Sequence, residues 1–427
     1  MTNHDITLHP DEALNGNLED CARLLFPQKG ESKPRLRFRG FEGEWSRKMI
    51  GTIGMTYSGL SGKGKNDFGH GDAKYITFLN VLNNVQIDCS RFEKVEIREG
   101  ENQNKVHKGD LLFNTSSETP EEVAMCAVMG EEIDNLYLNS FCFGFRLVVP
   151  DVDPLFLAYQ MRSPYGRSLM SFIAQGATRY NLPKKEFVKT EIIIPKDIEE
   201  QRQIASFLCH LDEQIAVKQR QLERLKQMKL ACFGSLFPDN QSITPPLRFK
   251  GFSGGWKSVI LMDIMDRYDN LRVPVKESQR VKGEYPYYGA NGIQDYVDGY
   301  THDGEFILIA EDGANNLIEY PVQYVNGKVW VNNHAHVLSA KKNVASNMFI
   351  KYAISHADVK SVLVGGTRAK LTSDALMKLS VSIPPTINEQ CRIASFFSSL
   401  DEQIKIQMQQ VEKLNQVKKA CLNQFIA

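Results

Sequence analysis

Ile204-Ala205-Ser206-Phe207, running on through Leu211-Asp212-Glu213-Gln214-Ile215, returns 189 positions later as Ile393-Ala394-Ser395-Phe396 through Leu400-Asp401-Glu402-Gln403-Ile404. An earlier stretch behaves the same way. Leu36-Arg37-Phe38-Arg39-Gly40-Phe41, with Gly43 and Trp45, returns as Leu247-Arg248-Phe249-Lys250-Gly251-Phe252, with Gly254 and Trp256, at a spacing of 211. A long internal repeat sets the architecture before any local pattern is read. The ends of the unit repeat while the middle does not, and the second middle is 22 residues shorter, the difference between the two spacings. Constant ends around divergent inserts describe one scaffold that presents two different readers.

The repeated C-terminal part is helical. From Glu199 to Phe233, Ile204, Leu208, Leu211, Ile215, Leu222, Leu225 and Cys232 fall at 3–4 spacing, an a/d seam interrupted by Lys218. The second copy gives Ile393, Phe397, Leu400, Ile404, Val411, Leu414 and Cys421, interrupted by Gln407. Pro195 and Pro384 precede the helices, where proline is tolerated. A helix of this length spans roughly 50 Å at 1.5 Å per residue and cannot bury its stripe alone. The two copies are therefore expected to pair.

The repeat begins before the arginine motif. Cys21, Leu25, Phe26 and Pro27 match Cys232, Leu236, Phe237 and Pro238, again at 211. The chain opens with what resembles a helix tail, and the C-terminal helix would complete the first copy, closing a ring. The expected fold class is α+β: two mixed α/β domains separated by a pair of long antiparallel coiled-coil-like helices, in a pseudo-twofold circular repeat. The division reads as an arm over 1–33 resembling the tail of the linker helix, a first domain over 34–195, a central long helix over 196–236, a second domain over 237–384 and a C-terminal long helix over 385–427. Inside the inserts, Leu111–Phe113, Phe143–Val149, Phe306–Ala310 and Lys328–Val331 read as strands among Gly, Asn and Asp turns. Each insert ends in Gly176-Ala177-Thr178-Arg179 or Gly365-Gly366-Thr367-Arg368, followed by a return strand, Ile192–Pro195 or Val381–Pro384.

Bulk properties narrow the class. A chain of 427 residues, 42% hydrophobic and 24% charged, suits two or three soluble domains. No apolar run is long enough to span a membrane, and Met1–Asp20 lacks the order of a secretion signal, so a cytoplasmic protein without membrane contact is expected. Eight cysteines without a Cys-x-x-Cys pair fit free thiols better than a disulfide framework or a zinc site. The 51 basic and 51 acidic residues cancel, which argues against nonspecific coating of nucleic acid but leaves room for local basic patches.

Catalytic patterns are scarce. There is no Gly-x-x-x-x-Gly-Lys-Ser/Thr loop, no Gly-x-Ser-x-Gly elbow, no His-Glu-x-x-His helix and no Asn/Asp-Pro-Pro-aromatic motif of amino-group methyltransferases. No catalytic residue is assigned. His334 and His336 lack a third ligand, so no metal site is assigned either. Patterns suited to binding are richer. Lys63 and Lys65 in the loop Gly59–Lys65 are candidates for DNA phosphate. Asn114, Thr115 and Ser116 follow a strand, and Thr178, Arg179, Tyr180 and Asn181 form the end of a glycine-bearing loop. Thr367, Arg368 and Lys370 repeat that loop in the second copy, which adds Tyr288, Gly289 and Asn291 at a tight turn and the run Asn332, Asn333 and His334. Amide side chains can bond adenine in a bidentate manner. Asn and Gly also build turns, and each of these residues can serve that purpose instead.

The duplicated Leu-Arg-Phe-Arg/Lys-Gly-Phe, Gly-x-Thr-Arg, Ile-Pro, Glu-Gln and Leu-Asp-Glu-Gln-Ile pieces resemble the specificity subunit of type I restriction-modification enzymes. Tyr287–Ile293, Ile309–Gly313 and Asn332–His336 are similar to a target-recognition domain of that family. The resemblance implies that 34–195 and 237–384 are target-recognition domains, each reading one half of a split, asymmetric double-stranded DNA site. It implies no cofactor in this chain. S-adenosylmethionine, ATP and magnesium are expected on the partners, two modification (methyltransferase) subunits and the restriction (translocase and nuclease) subunits. The alternative is a coiled-coil assembly scaffold whose inserts bind protein.

Overall fold

The computed structural model describes residues 6–8, 36–239, 242–317, 319–365 and 369–422. The expected arm with its Cys21, Leu25, Phe26 and Pro27 repeat lies outside these residues, apart from Ile6–Leu8, which pair antiparallel with Leu36–Phe38. The chain divides into two compact units, Met1–Gln219 with Gln409–Ala427, and Arg220–Met408. Both long helices cross this division. The central helix runs Ile198–Leu236 and the C-terminal helix Ile387–Leu422.

In the first unit, strands that include three buried at every position form two sheets of three or more strands. Gly54–Ser58, Cys142–Leu147, Leu111–Asn114 and Cys126–Val128 lie side by side in that order, all antiparallel. Leu136–Leu138, Phe68–Ile76 and Phe92–Val95 form the other sheet, whose first pair is parallel. Leu111–Asn114 is buried on both faces, and Phe113 and Phe143 stack at 5.1 Å with Phe187 edge-on to both. In the second unit, one sheet takes six strands in the order Met265–Arg267, Ala335–Ala340, His302–Ala310, Val322–Val331, Lys282–Gly289 and Gly292–Val297. The inserts thus differ in sheet layout as well as in sequence.

The ladder and the ion pair that flank each insert recur in both copies. Ser46–Met49 pairs antiparallel with Glu191–Ile194, with Arg47 opposite Ile193. Lys257–Ile260 pairs antiparallel with Ser380–Ile383, with Ser258 opposite Ser382, the same register carried forward by the two spacings. Glu200 is buried and accepts two bonds of 2.7 Å from Arg37, whose third nitrogen donates to the Gly43 carbonyl. Glu389 is buried and accepts two bonds of 2.7 Å from Arg248, which donates in turn to the Gly254 carbonyl. A bidentate arginine is the partner that lets a carboxylate leave water. This explains why the Leu-Arg-Phe and Glu-Gln pieces recur together.

The helices are fastened to each unit by the aspartate of Leu-Asp-Glu-Gln-Ile. In the first unit Tyr159 donates to Asp212 at 2.9 Å, and Lys418 of the C-terminal helix pairs with the same carboxylate. In the second, Tyr352 donates to Asp401 at 2.8 Å, and Lys229 of the central helix pairs with it at 2.5 Å. Lys229 and Lys418 are themselves 189 apart. Of the seam residues, Ile204, Leu208 and Ile215 are buried, as are Ile393, Phe397 and Leu400. Leu211, Leu222, Leu225, Ile404, Val411 and Leu414 are half-buried. Within the second unit, Phe233 stacks on Phe397 at 4.3 Å and Gln407 donates to Gln221 at 3.1 Å, so the helix segments there run antiparallel. Among the described residues, no helix is long and apolar enough to cross a membrane, and the described cysteines are all free.

Candidate nucleic-acid interface

In the first domain the fold draws two separated motifs into one edge. The Gly176 loop is closed by reciprocal backbone bonds between Gln175 and Asn181, of 2.9 and 2.8 Å. Gly176 adopts φ +143°, and a Cβ there would lie 2.1 Å from the Arg179 carbonyl oxygen, so glycine is required. Beyond the closure, Tyr180–Asn181 pairs antiparallel with Ser116–Ser117, and the Leu182 N–H donates to the Thr115 carbonyl at 2.9 Å. Arg179 Nε donates to Ser116 Oγ at 3.1 Å. Thr178, Arg179 and Asn181 are exposed, Thr115 and Tyr180 half-buried.

Three candidates need correction. Asn114 is wholly buried, and its amide is spent on the Ser116 and Glu122 carbonyls (3.1 and 2.8 Å) and the Met125 N–H (2.6 Å). It shapes the loop and presents nothing to a ligand. The Lys63 ammonium is buried against Glu101 and is not available to a phosphate, whereas Lys65 is exposed. Ser116 is also buried, so it acts by seating Arg179.

The second domain repeats this edge. Val364 and Lys370 close the Gly365 loop with reciprocal bonds of 2.8 Å, Lys370 bridges to Asp312, and the Leu371 N–H donates to the Glu311 carbonyl at 2.8 Å. Val364, Lys370 and Leu371 each stand 189 positions after Gln175, Asn181 and Leu182. The fold therefore equates Thr115–Ser116 with Glu311–Asp312, a correspondence invisible in the side chains. Thr367 and Arg368 lie outside the described residues.

Around this edge, Asn291 bonds the Gly313 carbonyl and the Asn315 N–H, both at 2.9 Å, and the exposed His334 ring lies 2.5 Å from Asp312. Gly289 is buried, and a Cβ there would meet the end of the Gln294 side chain at 2.3 Å; Tyr288 beside it is half-buried. Asn333 is exposed. Asn332 needs correction: it is buried, its Oδ1 accepts from the His334 N–H at 2.8 Å, and it serves as a turn former. Glu311 accepts from Arg272 at 2.7 Å and Lys370 at 2.8 Å. Burial pushes its carboxyl upward, but the Lys370 and Arg272 bonds outweigh that and hold it below the usual range. His336 is buried between Asp269 (2.7 Å) and the Leu371 carbonyl (2.8 Å), a structural role. Among the described residues no group of three or more His, Cys, Asp or Glu side chains could hold a metal.

These paired edges sit on a frame that known proteins share. The family model of the type I restriction modification DNA specificity domain matches residues 43–227 and again 253–418. The chain belongs to this family and carries the domain twice. The type I restriction enzyme specificity subunit S.HindORF215P of Haemophilus influenzae is 44% identical over 145 residues, 34% of this chain and 37% of that one. The type I restriction enzyme MjaIX specificity subunit of Methanocaldococcus jannaschii is 23% identical over 415 residues, 90% and 93% of the two chains. Among solved structures, the type I restriction-modification S subunit from M. genitalium superposes with a TM-score of 0.63 at 15% identity, covering 90% of this chain and 97% of that one, and so shares the fold. The protein is a type I specificity subunit with DNA recognition domains, and the alternative of a protein-binding scaffold is not favoured.

Proposed function

We propose that the two domains each read one half of a split, asymmetric DNA site, and that the chain recruits two modification subunits and the restriction subunits in a cytoplasmic complex. S-adenosylmethionine, ATP and magnesium would act on those partners, which carry out adenine methylation and ATP-driven cleavage. One observation carries this reading. The same loop-closing bonds recur in both domains, at Gln175–Asn181 and Val364–Lys370, while the strand beside them changes from Thr115–Ser116 to Glu311–Asp312. Identical backbone presentation with different side chains is what two readers of different sequences need, since base edges are distinguished by donor and acceptor pattern. Exchange of residues 257–370 for the insert of another family member tests it, with methylated adenines mapped across a genome. One half-site should change and the other persist. Alteration of both halves, or a complex with modification subunits that prefers no sequence, sinks the proposal.

A further inference from the structure

Each domain keeps a cation where the short helix after the glycine loop meets the first strand of the insert, but the two copies supply it from opposite elements. In the first domain the cation is on the helix. Lys184 opens the helix Lys184–Lys189, and its Nζ lies 3.4 Å from Ser58 Oγ at the end of the strand Gly54–Ser58. The position 189 further on is Ser373, which opens the matching helix Ser373–Met377. Its hydroxyl accepts from Arg267, and Arg267 ends the matching strand Met265–Arg267, at the position equivalent to Thr56. Helix cation on strand hydroxyl has become strand cation on helix hydroxyl.

Other cations near these edges are matched by carboxylates. Arg272 and Lys370 are taken up by Glu311, Lys63 by Glu101 and Arg146 by Asp110. Lys184 and Arg267 have no carboxylate partner among the described residues, and each touches only a neutral hydroxyl. Lys184 is half-buried beside the Phe143 ring, 5.4 Å from its centroid, and burial lowers the pKa of its ammonium, a cost that a nearby anion would offset. Both cations also stand close in sequence or in bonding to the reading edge. Lys184 is three residues past Asn181, and the Ser373 that seats Arg267 is three residues past Lys370.

We infer that Lys184 and Arg267 are equivalent DNA-phosphate contacts, one per half-site, and that the duplication has kept the charge while exchanging its carrier. The inference rests on the proposed DNA reading and adds two positioning contacts that carry no base preference.

The experiment uses the full chain in complex with modification subunits and a duplex bearing its site, with affinity measured from low to moderate salt. K184A and R267A should each weaken specific and nonspecific binding alike and reduce the slope of log K against log salt by about 0.9, the value for one phosphate contact. K184R and R267K should keep the slope. Unchanged slopes in both alanine variants overturn the inference. So does loss of slope in K184R or R267K, which would mark a structural role, and so does a failure to assemble with modification subunits, which would mark a protein contact. A wild-type complex that prefers no sequence defeats the DNA reading itself, whereas a selective wild type with unaffected variants defeats only these two contacts.

Discussion

Glu200 and Glu389 are gripped by the same guanidinium geometry through the same 2.7 Å bonds, whereas Thr115–Ser116 and Glu311–Asp312 occupy one position with unlike chemistry. The frame repeats because its bonds are made by side chains in buried places, where one substitution strands a charge. The reading edge diverges because its shared bonds are made by backbone, which any residue supplies. Side chains can therefore change at the edge without a cost to the scaffold that holds it.

The sharpest way to break this comparison is to remove the frame carboxylates. Glu200→Ala and Glu389→Ala each take the carboxylate from a half-buried arginine that keeps only backbone carbonyl bonds, a loss of about 2–3 kcal/mol. Hydrogen exchange should place each loss within its own unit. Glu200→Ala should cost more, because Trp45 Nε1 also donates to Glu200 at 3.2 Å, while Trp256 Nε1 has no partner among the described residues. A larger loss from Glu389→Ala would show that the two frames are not energetically alike.

A smaller effect is expected where the helices are fastened. Tyr159→Phe and Tyr352→Phe each delete one hydrogen bond to a partly buried aspartate, worth about 1.5 kcal/mol, and should shift urea midpoints about equally. A marked difference between them would mean that the Tyr–Asp–Lys fastening is shared in geometry only.

The smallest predicted effect separates the two edges by pH. The folded Glu311 carboxyl is held below its ordinary value of 4.5, so its contribution is complete above that pH and fades as pH falls through the lower folded value. Its counterpart Thr115 does not titrate. Thermal melts followed from pH 6 to about 3 should show an acid-side loss in the second unit that Glu311→Gln flattens. If Glu311→Gln leaves the acid slope of that unit intact, the Arg272–Glu311–Lys370 cluster does not stabilise it.

The helices were legible because their signal is local and periodic: the seam from Glu199 to Phe233 needed only an extension to Ile198–Leu236. The flanking ladder was legible too, with the return strand expected at Ile192–Pro195 found at Glu191–Ile194. The readers were not, for physical reasons that particular residues show. Lys63 reads as an available cation until the fold brings Glu101 to it, and no pattern near Lys63 announces that meeting. Asn114 and Asn332 have the chemistry of base readers, but a buried turn uses the same chemistry on its own backbone. The match of Thr115–Ser116 to Glu311–Asp312 is a matter of strand register, which side-chain similarity does not carry.

The division of each long helix between the two units bears on the order in which the protein is made. The second unit is one continuous stretch, Arg220–Met408, while the first needs Lys418 and Cys421 to complete its fastening and its core. Domains usually mature N-terminal first as the chain leaves the ribosome. Here that order does not hold: the first unit, although translated earlier, cannot complete its fastening and its core before Lys418 and Cys421 have been added.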